Sequence, residues 1–205
     1  MSPAEELCSL RWNPATGAAE IIDQTLLPHS LRWLELKTLD SYCHAISAMQ
    51  VRGAPLIGIT AAFGLARALA LDPSTQNLQR ASAALLATRP TAVNLRWALK
   101  AVVAAVGDLP PPCRADAALE TALLLRTRDI ANCALIGEHG LALLRALKPA
   151  GPLQIMTHCN AGWLATIQWG TALAPVYKAH AAGIAVHVWV SETRPRNQGM
   201  NLTAW

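Results

Sequence analysis

The chain has 205 residues, of which 53% are hydrophobic and 15% are charged, and its formal net charge is +4. Soluble domains carry about 25% charged residues, so this chain is apolar for that class. Its composition excludes intrinsic disorder, because such a chain can bury enough apolar surface to offset the entropy lost on ordering.

The distribution of charged residues indicates which partners and which cellular compartment to expect. The basic residues are spread without a run that would follow a nucleic-acid backbone, so we expect no nucleic-acid partner. The uncharged stretch between Arg52 and Arg67 has 14 residues, and a membrane-spanning helix needs about 20. Glu5 and Glu6 lie where a secretory signal would be basic. We therefore expect a cytoplasmic protein with no membrane partner.

Cysteine and histidine are too scattered for a disulfide framework or a metal site. The five cysteines are odd in number and contain no C-x-x-C pair, and the six histidines show no H-x-x-x-H spacing. Both patterns argue against a disulfide-stabilised scaffold and against a zinc knuckle. The sequence predicts no bound metal.

The first 36 residues predict a small β structure. Short apolar stretches alternate with turn residues from residue 8 onward, and Asn13-Pro14 and Gly17 mark a hairpin. The pattern then becomes helical between residues 40 and 147. It predicts helices over residues 41–50, 55–71, 78–88, 91–106 and 116–147. Three prolines at 110–112 end the fourth, and Gly137 and Gly140 interrupt the fifth.

A second unit is predicted after residue 150. Residues 153–157 form a short apolar run typical of a buried strand, and a helix follows Asn160-Ala161-Gly162 as far as His180. Gly183 ends that helix, and residues 184–190 form a second strand. Strand, helix and strand make a βαβ unit with parallel strands. Since two parallel strands cannot cover both faces of a sheet, we expect more chain or a partner to complete it.

The predicted fold class is therefore α/β with two domains. Residues 1–150 form a β-hairpin and helical domain, and residues 151–205 begin an incomplete, Rossmann-like parallel βαβ domain.

Cys159 is the first candidate for chemistry. Ligands of open α/β sheets bind beyond the carboxyl ends of the strands, which selects the loops at 157–162 and 191–199. A cysteine between a strand and a helix N-terminus can have a lowered pKa and become reactive. The alternative is a buried, inert thiol. His158 points to the opposite face of the strand, which argues against a Cys–His pair.

Arg52 is the second candidate, because Val51-Arg52-Gly53-Ala54-Pro55 directly precedes a predicted helix. A helix N-terminus favours an anion, and a guanidinium beside it can bind a phosphate. Arg89 holds the same position before the helix that Thr91 caps. The alternative for both is an arginine that merely flanks a buried helix.

Taken together, segments along nearly the whole chain resemble the methylthioribose-1-phosphate isomerase family. That family is related to regulatory subunits of a translation-initiation exchange factor and to ribose-1,5-bisphosphate isomerases. The segments that carry the resemblance are LRWNPATG, IIDQTLLPH, MQVRGAPLIGITAAFGLA, RPTAVNLRWAL, IGEHG, MTHCNAG, HVWVSETRPRNQG and LTAW.

The resemblance implies conversion of 5-methylthioribose 1-phosphate to 5-methylthioribulose 1-phosphate in methionine salvage. It implies a sugar-phosphate substrate, a homodimer and no cofactor. Cys159 matches the catalytic cysteine of the family. The positions that match substrate-contacting residues are Arg52, Gly53, Ala54, Arg89 and Gln198.

Departures from the family pattern predict a weakened or inactive enzyme. Ile167 and Gln168 stand where the family has two glycines, so their side chains are expected to obstruct the pocket. Pro175 is expected to kink the following helix. The catalytic aspartate of the family is expected beyond residue 205. Two alternatives stay open: a non-catalytic binding or assembly module, and, more weakly, a cysteine-dependent hydrolase.

Overall fold

The computed structural model describes residues 7–147 and 151–205. The predicted β start is confirmed as a three-stranded antiparallel sheet, in the order β1-β2-β3. The strands are β1 (Leu10–Asn13), β2 (Ala18–Ile22) and β3 (Trp33–Leu36). Gly17, in the left-handed region at φ 62°, turns the chain between the first two strands. The sheet packs on the helices through Trp12, whose ring stacks on Phe63 with centroids 5.3 Å apart.

Five helices follow, and their bounds differ from the predicted ones mainly at the N-termini. They are α1 (Leu39–Ser47), α2 (Ala54–Leu71), α3 (Thr75–Thr88), α4 (Val93–Val106) and α5 (Pro111–Ala146). Helix α3 begins three residues before its predicted start because the Ser74 hydroxyl caps it, accepting a hydrogen bond from the Asn77 N–H at 3.1 Å. Helix α5 begins at Pro111, because proline is suited to the first helical turn.

Helix α2 is the centre of the core. It is long and apolar enough to cross a membrane, although 72% of it is buried inside the protein. Helices α1, α3, α4 and α5 and the β-sheet pack around it, which explains why it is hydrophobic on all sides. It extends past Arg67, so it is longer than the uncharged stretch of the sequence.

Gly137 and Gly140 do not interrupt α5, contrary to the prediction. The helix runs continuously for 36 residues, and the glycines face helix α6 (Ala174–Ala181). A Cβ at Gly140 would lie 2.6 Å from Pro175 Cβ, and one at Gly137 would lie 3.1 Å from the Ala174 carbonyl oxygen. The glycines therefore let two helices pack closely.

The βαβ unit is confirmed, with a later helix than predicted. Strands β4 (Leu153–Thr157) and β5 (Val186–Val190) pair in parallel. The predicted helix from residue 160 is wrong for its first half: residues 161–173 form a loop with a 3₁₀ turn at Trp163–Ala165, and α6 begins only at Ala174. Pro175 consequently lies in the first turn of α6, where its missing N–H costs nothing, and does not kink a helix interior.

The loop after β4 packs against residues from the first part of the chain. The Ile167 side chain is fully buried in the main core. The Ile167 carbonyl accepts a hydrogen bond from the Ser9 N–H at 3.0 Å, and its own N–H donates to Asp129 Oδ2 at 2.9 Å. The division at residue 150 stays a prediction.

Candidate functional site

A cleft of about 220 Å³ lies where three distant segments meet. One wall follows β2, a second precedes α2, and the third is the C-terminal segment with the short π-helical turn Gly199–Thr203. The residues lining it are Gln24, Thr25, Leu27, Met49, Arg52, Arg196, Gln198, Asn201 and Leu202. Two predicted site residues, Arg52 and Gln198, are thus brought together.

Gly53 positions Arg52 at the start of α2. Gly53 is the residue before the helix and has φ 102°, a conformation that residues with a side chain rarely adopt. Its backbone also lies directly against the 3₁₀ turn, where a Cβ would overlap the Ala165 carbonyl group. The main chain at residue 53 is therefore fixed by the turn, and Arg52 projects into the cleft.

The Arg52 guanidinium carries unused hydrogen-bond donors. Nε and Nη1 are buried and have no partner among the residues that the structure describes. An unpaired buried donor costs about 1–3 kcal/mol, and more when the group is charged. Within residues 7–147 and 151–205, neither Arg52 nor Arg196 forms an ion pair. The two guanidinium groups therefore make the cleft suited to an anion.

Gln198 supplies an acceptor on the opposite wall. It is 7% exposed, and its Oε1 atom has no hydrogen-bond partner in the described chain. The loop before it is held by Glu192, whose Oε1 accepts the N–H groups of Thr193 at 2.8 Å and Gly199 at 2.9 Å. A buried acceptor without a donor fits a ligand that carries hydroxyl groups.

Gln24 is a cleft residue that the sequence reasoning missed. It is 4% exposed, its Nε2 donates to the Leu164 carbonyl at 2.7 Å, and its Oε1 has no partner among the described residues. The contact of Gln24 joins residues 140 apart in the chain, so spacing within the segment contains no signal for it.

Cys159 is exposed, which excludes the alternative of a buried structural cysteine. It follows β4 with φ 60°, and its carbonyl accepts a hydrogen bond from Thr203 Oγ1 at 2.8 Å. The expected helix N-terminus is wrong, because the next α-helix starts at Ala174. Cys159 is not among the residues lining the cleft, although Leu202, the residue before Thr203, is.

The remaining predicted site residues lie outside the cleft lining. Ala54 is exposed at the start of α2, and Arg89 is half-buried at the C-terminal end of α3. The expected obstruction by Ile167 is wrong, because its side chain points into the main core. Gln168 is half-buried and does not line the cleft either.

No group of three or more potential metal ligands occurs within the described part of the chain. The side chains that line the cleft combine cationic donors with amide oxygens. This set matches a ligand that is anionic at one end and hydroxylated at the other.

Comparisons with known proteins find a matching family and similar sequences. Residues 50–205 match the Initiation factor 2 subunit family. The chain is 58% identical over 199 residues to a methylthioribose-1-phosphate isomerase from Dechloromonas aromatica, covering 96% of this chain and 55% of the relative. It is 55% identical over 197 residues to the isomerase of the same name from Rhodospirillum rubrum, covering 92% and 50%. The chain thus spans about half the length of these curated relatives.

Two solved structures share the fold. One is translation initiation factor eIF-2B, subunit delta, from A. fulgidus, with a TM-score of 0.84 and 34% identity over 97% of this chain and 58% of the other. The second is 5-methylthioribose 1-phosphate isomerase from Pyrococcus horikoshii, with a TM-score of 0.84 and 31% identity over 98% and 58%.

Proposed function

Because the chain belongs to the initiation factor 2 subunit family, we propose that its cleft binds the substrate of an aldose–ketose isomerase. The substrate is 5-methylthioribose 1-phosphate and the product 5-methylthioribulose 1-phosphate, a step of methionine salvage. The names of the relatives from Dechloromonas aromatica and Rhodospirillum rubrum support this assignment.

One observation carries the proposal: unpaired donors and an unpaired acceptor face the same cleft. Arg52 offers two buried guanidinium nitrogens, and Gln198 offers a buried amide oxygen. A phosphate satisfies the first and a sugar hydroxyl satisfies the second. The cleft lies beside the helix start at Gly53, where the N–H groups of α2 favour a negative charge.

The reaction moves hydrogen within one molecule and needs no external oxidant. The hydrogen on C2 moves to C1 as the bond from C1 to the ring oxygen breaks, and the proton of the C2 hydroxyl goes to the released ring oxygen. C2 thereby becomes a carbonyl carbon, and C1 becomes a CH2 group that keeps its phosphate. We assign the Cys159 thiol to this transfer, because the residue is exposed and its backbone carbonyl accepts a hydrogen bond from Thr203, in the turn that lines the cleft. Gly53, Ala54 and Arg89 do not line the cleft, and their proposed roles as substrate-contacting positions rest on the family resemblance alone.

Calorimetric titration tests the proposed site. We expect 5-methylthioribose 1-phosphate to bind the purified chain more tightly than inorganic phosphate, because the sugar adds alcohol hydroxyl groups that reach beyond the phosphate position. Arg52→Ala should weaken the binding of both ligands at least tenfold, since hydrogen bonds to a charged group contribute about 1.5–3 kcal/mol. Arg11→Ala is the matched control, because Arg11 is engaged by Glu20 on the surface. Equal binding by the Arg52 variant would contradict the proposal.

A non-catalytic binding module is the second candidate, favoured by the likeness to eIF-2B, subunit delta. Met156 and Trp189 are paired across β4 and β5 and are 65% and 58% exposed, so two large apolar side chains lie uncovered on one face of the small sheet. If no sugar phosphate binds the cleft, this candidate replaces the isomerase.

We further propose a cytoplasmic homodimer that binds neither nucleic acid nor membrane. Analytical ultracentrifugation tests the dimer, and a monomer at micromolar concentration would contradict it.

A further inference from the structure

We propose that Gln24 is a binding residue of the cleft, whose Oε1 accepts a hydrogen bond from a hydroxyl of the bound sugar phosphate. The inference rests on the proposed function and adds a contact that selects the sugar over phosphate alone. Gln24 lines the cleft, is 4% exposed and keeps its amide oxygen unpaired among the described residues.

The orientation of the Gln24 amide follows from its partner. Nε2 lies 2.7 Å from the Leu164 carbonyl oxygen, which can only accept. Rotating the amide by 180° would place two oxygens against each other. Oε1 is therefore the end left free for the cleft, and it recognises a donor, which excludes the phosphate oxygens and selects a hydroxyl.

The backbone beside Gln24 is held before any ligand binds. The Gln24 N–H donates to the Gln50 carbonyl at 3.0 Å. Asp23 Oδ2 accepts Gln50 Nε2 at 3.0 Å, and Asp23 Oδ1 accepts the Thr25 N–H at 3.0 Å and its hydroxyl at 2.6 Å. These contacts join the wall of the cleft that follows β2 to the wall that precedes α2. A ligand hydroxyl thus meets an acceptor that is already in place.

The same amide connects the cleft to the 3₁₀ turn. A hydroxyl that donates to Oε1 polarises the amide and strengthens the Nε2 bond to Leu164, because linked hydrogen bonds reinforce one another. The next residue of the turn, Ala165, packs against Gly53, which directly follows Arg52. Binding of the sugar and binding of the phosphate therefore support one arrangement of the backbone.

Gln24→Met tests the contact, because methionine has a similar length and lacks the amide. Titration calorimetry compares 5-methylthioribose 1-phosphate with inorganic phosphate for each protein. We expect Gln24→Met to weaken binding of the sugar phosphate about tenfold, because one hydrogen bond in a buried site is lost. The affinity for inorganic phosphate should stay unchanged. Circular dichroism on the same samples establishes that the variant is folded.

Ser9→Ala is the matched control for the turn. The buried Ser9 hydroxyl donates to the Thr166 carbonyl in the same loop and does not line the cleft. We expect this variant to retain the preference for the sugar phosphate. If Ser9→Ala loses as much of the preference for the sugar phosphate as Gln24→Met does, the loss comes from displacement of the turn. The contact role of Gln24 is then overturned.

The outcomes separate this inference from the proposed function. If Gln24→Met retains the full preference while Arg52→Ala loses both ligands, the Gln24 contact is wrong and the proposed site stands. If the unmodified chain binds neither ligand, the proposed function fails and the Gln24 contact fails with it. A Gln24→Met variant that does not fold is replaced by Gln24→Glu. Its carboxylate keeps an acceptor but repels phosphate, so both ligands should weaken, and unchanged binding of both would overturn the inference.

Discussion

Gly53 and Ala165 are packed backbone against backbone, so that a Cβ on Gly53 would lie 2.7 Å from the Ala165 carbonyl carbon. We expect Gly53→Ala to lower the free energy of unfolding by at least 2 kcal/mol, because overpacking adds about 1–3 kcal/mol to the strain of a positive φ. Gly183→Ala is the control, because Gly183 has φ 74° and open space around it. Thermal melting should show the smaller loss for Gly183→Ala; equal losses would contradict the packing argument.

Gly140 and Pro175 set the distance between α5 and α6. We expect Gly140→Ala to destabilise the protein by about 1–3 kcal/mol, because the added methyl overlaps the proline ring. In the double variant Gly140→Ala with Pro175→Gly both clashing ring atoms, Cγ and Cβ, are absent and the nearest atom left at position 175 is Cα at 3.7 Å. The methyl then has room, and most of the loss caused by Gly140→Ala should be recovered relative to Pro175→Gly alone. Urea unfolding of the two single variants and the double variant measures the coupling. Additive effects would show that the glycine does not face the proline.

The carboxyl group of Asp129 should make the stability of the protein depend on pH. Burial raises the pKa of Asp129 above its ordinary value of 3.8, opposed by the hydrogen bond from the Ile167 N–H. A carboxyl group with a raised pKa in the folded state favours folding while protonated, and this contribution is lost as pH rises through the folded pKa. Asp129→Asn keeps an acceptor for Ile167 and cannot ionise. We expect the stability of the variant relative to the unmodified chain to increase as pH rises above 4.

Denaturant unfolding at several pH values measures this difference. The change should be modest, because Asp129 is half-buried and solvent screens part of its charge. A difference that stays constant from pH 3.5 to 7 would show that the Asp129 pKa is the same in both states.

Cys159 should be one of the fast-reacting thiols in the native protein. Cys159 and Cys113 are exposed, whereas burial raises the pKa of Cys8 and raises that of Cys133 to about 12. Since the thiolate is the reactive form, a disulfide reagent should label the two exposed thiols first. Cys159→Ser and Cys113→Ser each remove one fast phase. Addition of 5-methylthioribose 1-phosphate should slow only the Cys159 phase, and equal protection of both thiols would contradict the proposed site.

Local patterns predicted the elements that depend on local physics. Turn residues predicted the first hairpin, and the apolar run at residues 153–157 matches β4. The segment at residues 161–173 was misread as a helix because its apolar residues are buried without being helical. Ile167 lies in the main core, and Leu164 and Trp163 lie in a smaller apolar cluster. Gly170 at φ 73° and Trp169 at φ 68° show that the chain turns there. A single sequence contains no local signal for such packing.

The residues of the candidate site also differ in whether local sequence predicts them. Arg52 was predicted from its place before a helix, and this place is confirmed. That Arg52 and Gln198, which are far apart in the chain, line one cleft was implied only by the family resemblance. Gln24 was missed because its role depends on Leu164, which reaches it through the loop after β4. Helix starts follow from neighbouring residues, whereas the walls of a cleft follow from tertiary contacts.

The three-walled cleft has a consequence for biosynthesis. Its lining begins at Gln24 and ends at Leu202, so a ribosome must release almost all of the described polypeptide before the pocket exists. A small molecule in the cell can therefore stabilise only chains that have finished folding, and it raises their resistance to proteolysis in proportion to its occupancy.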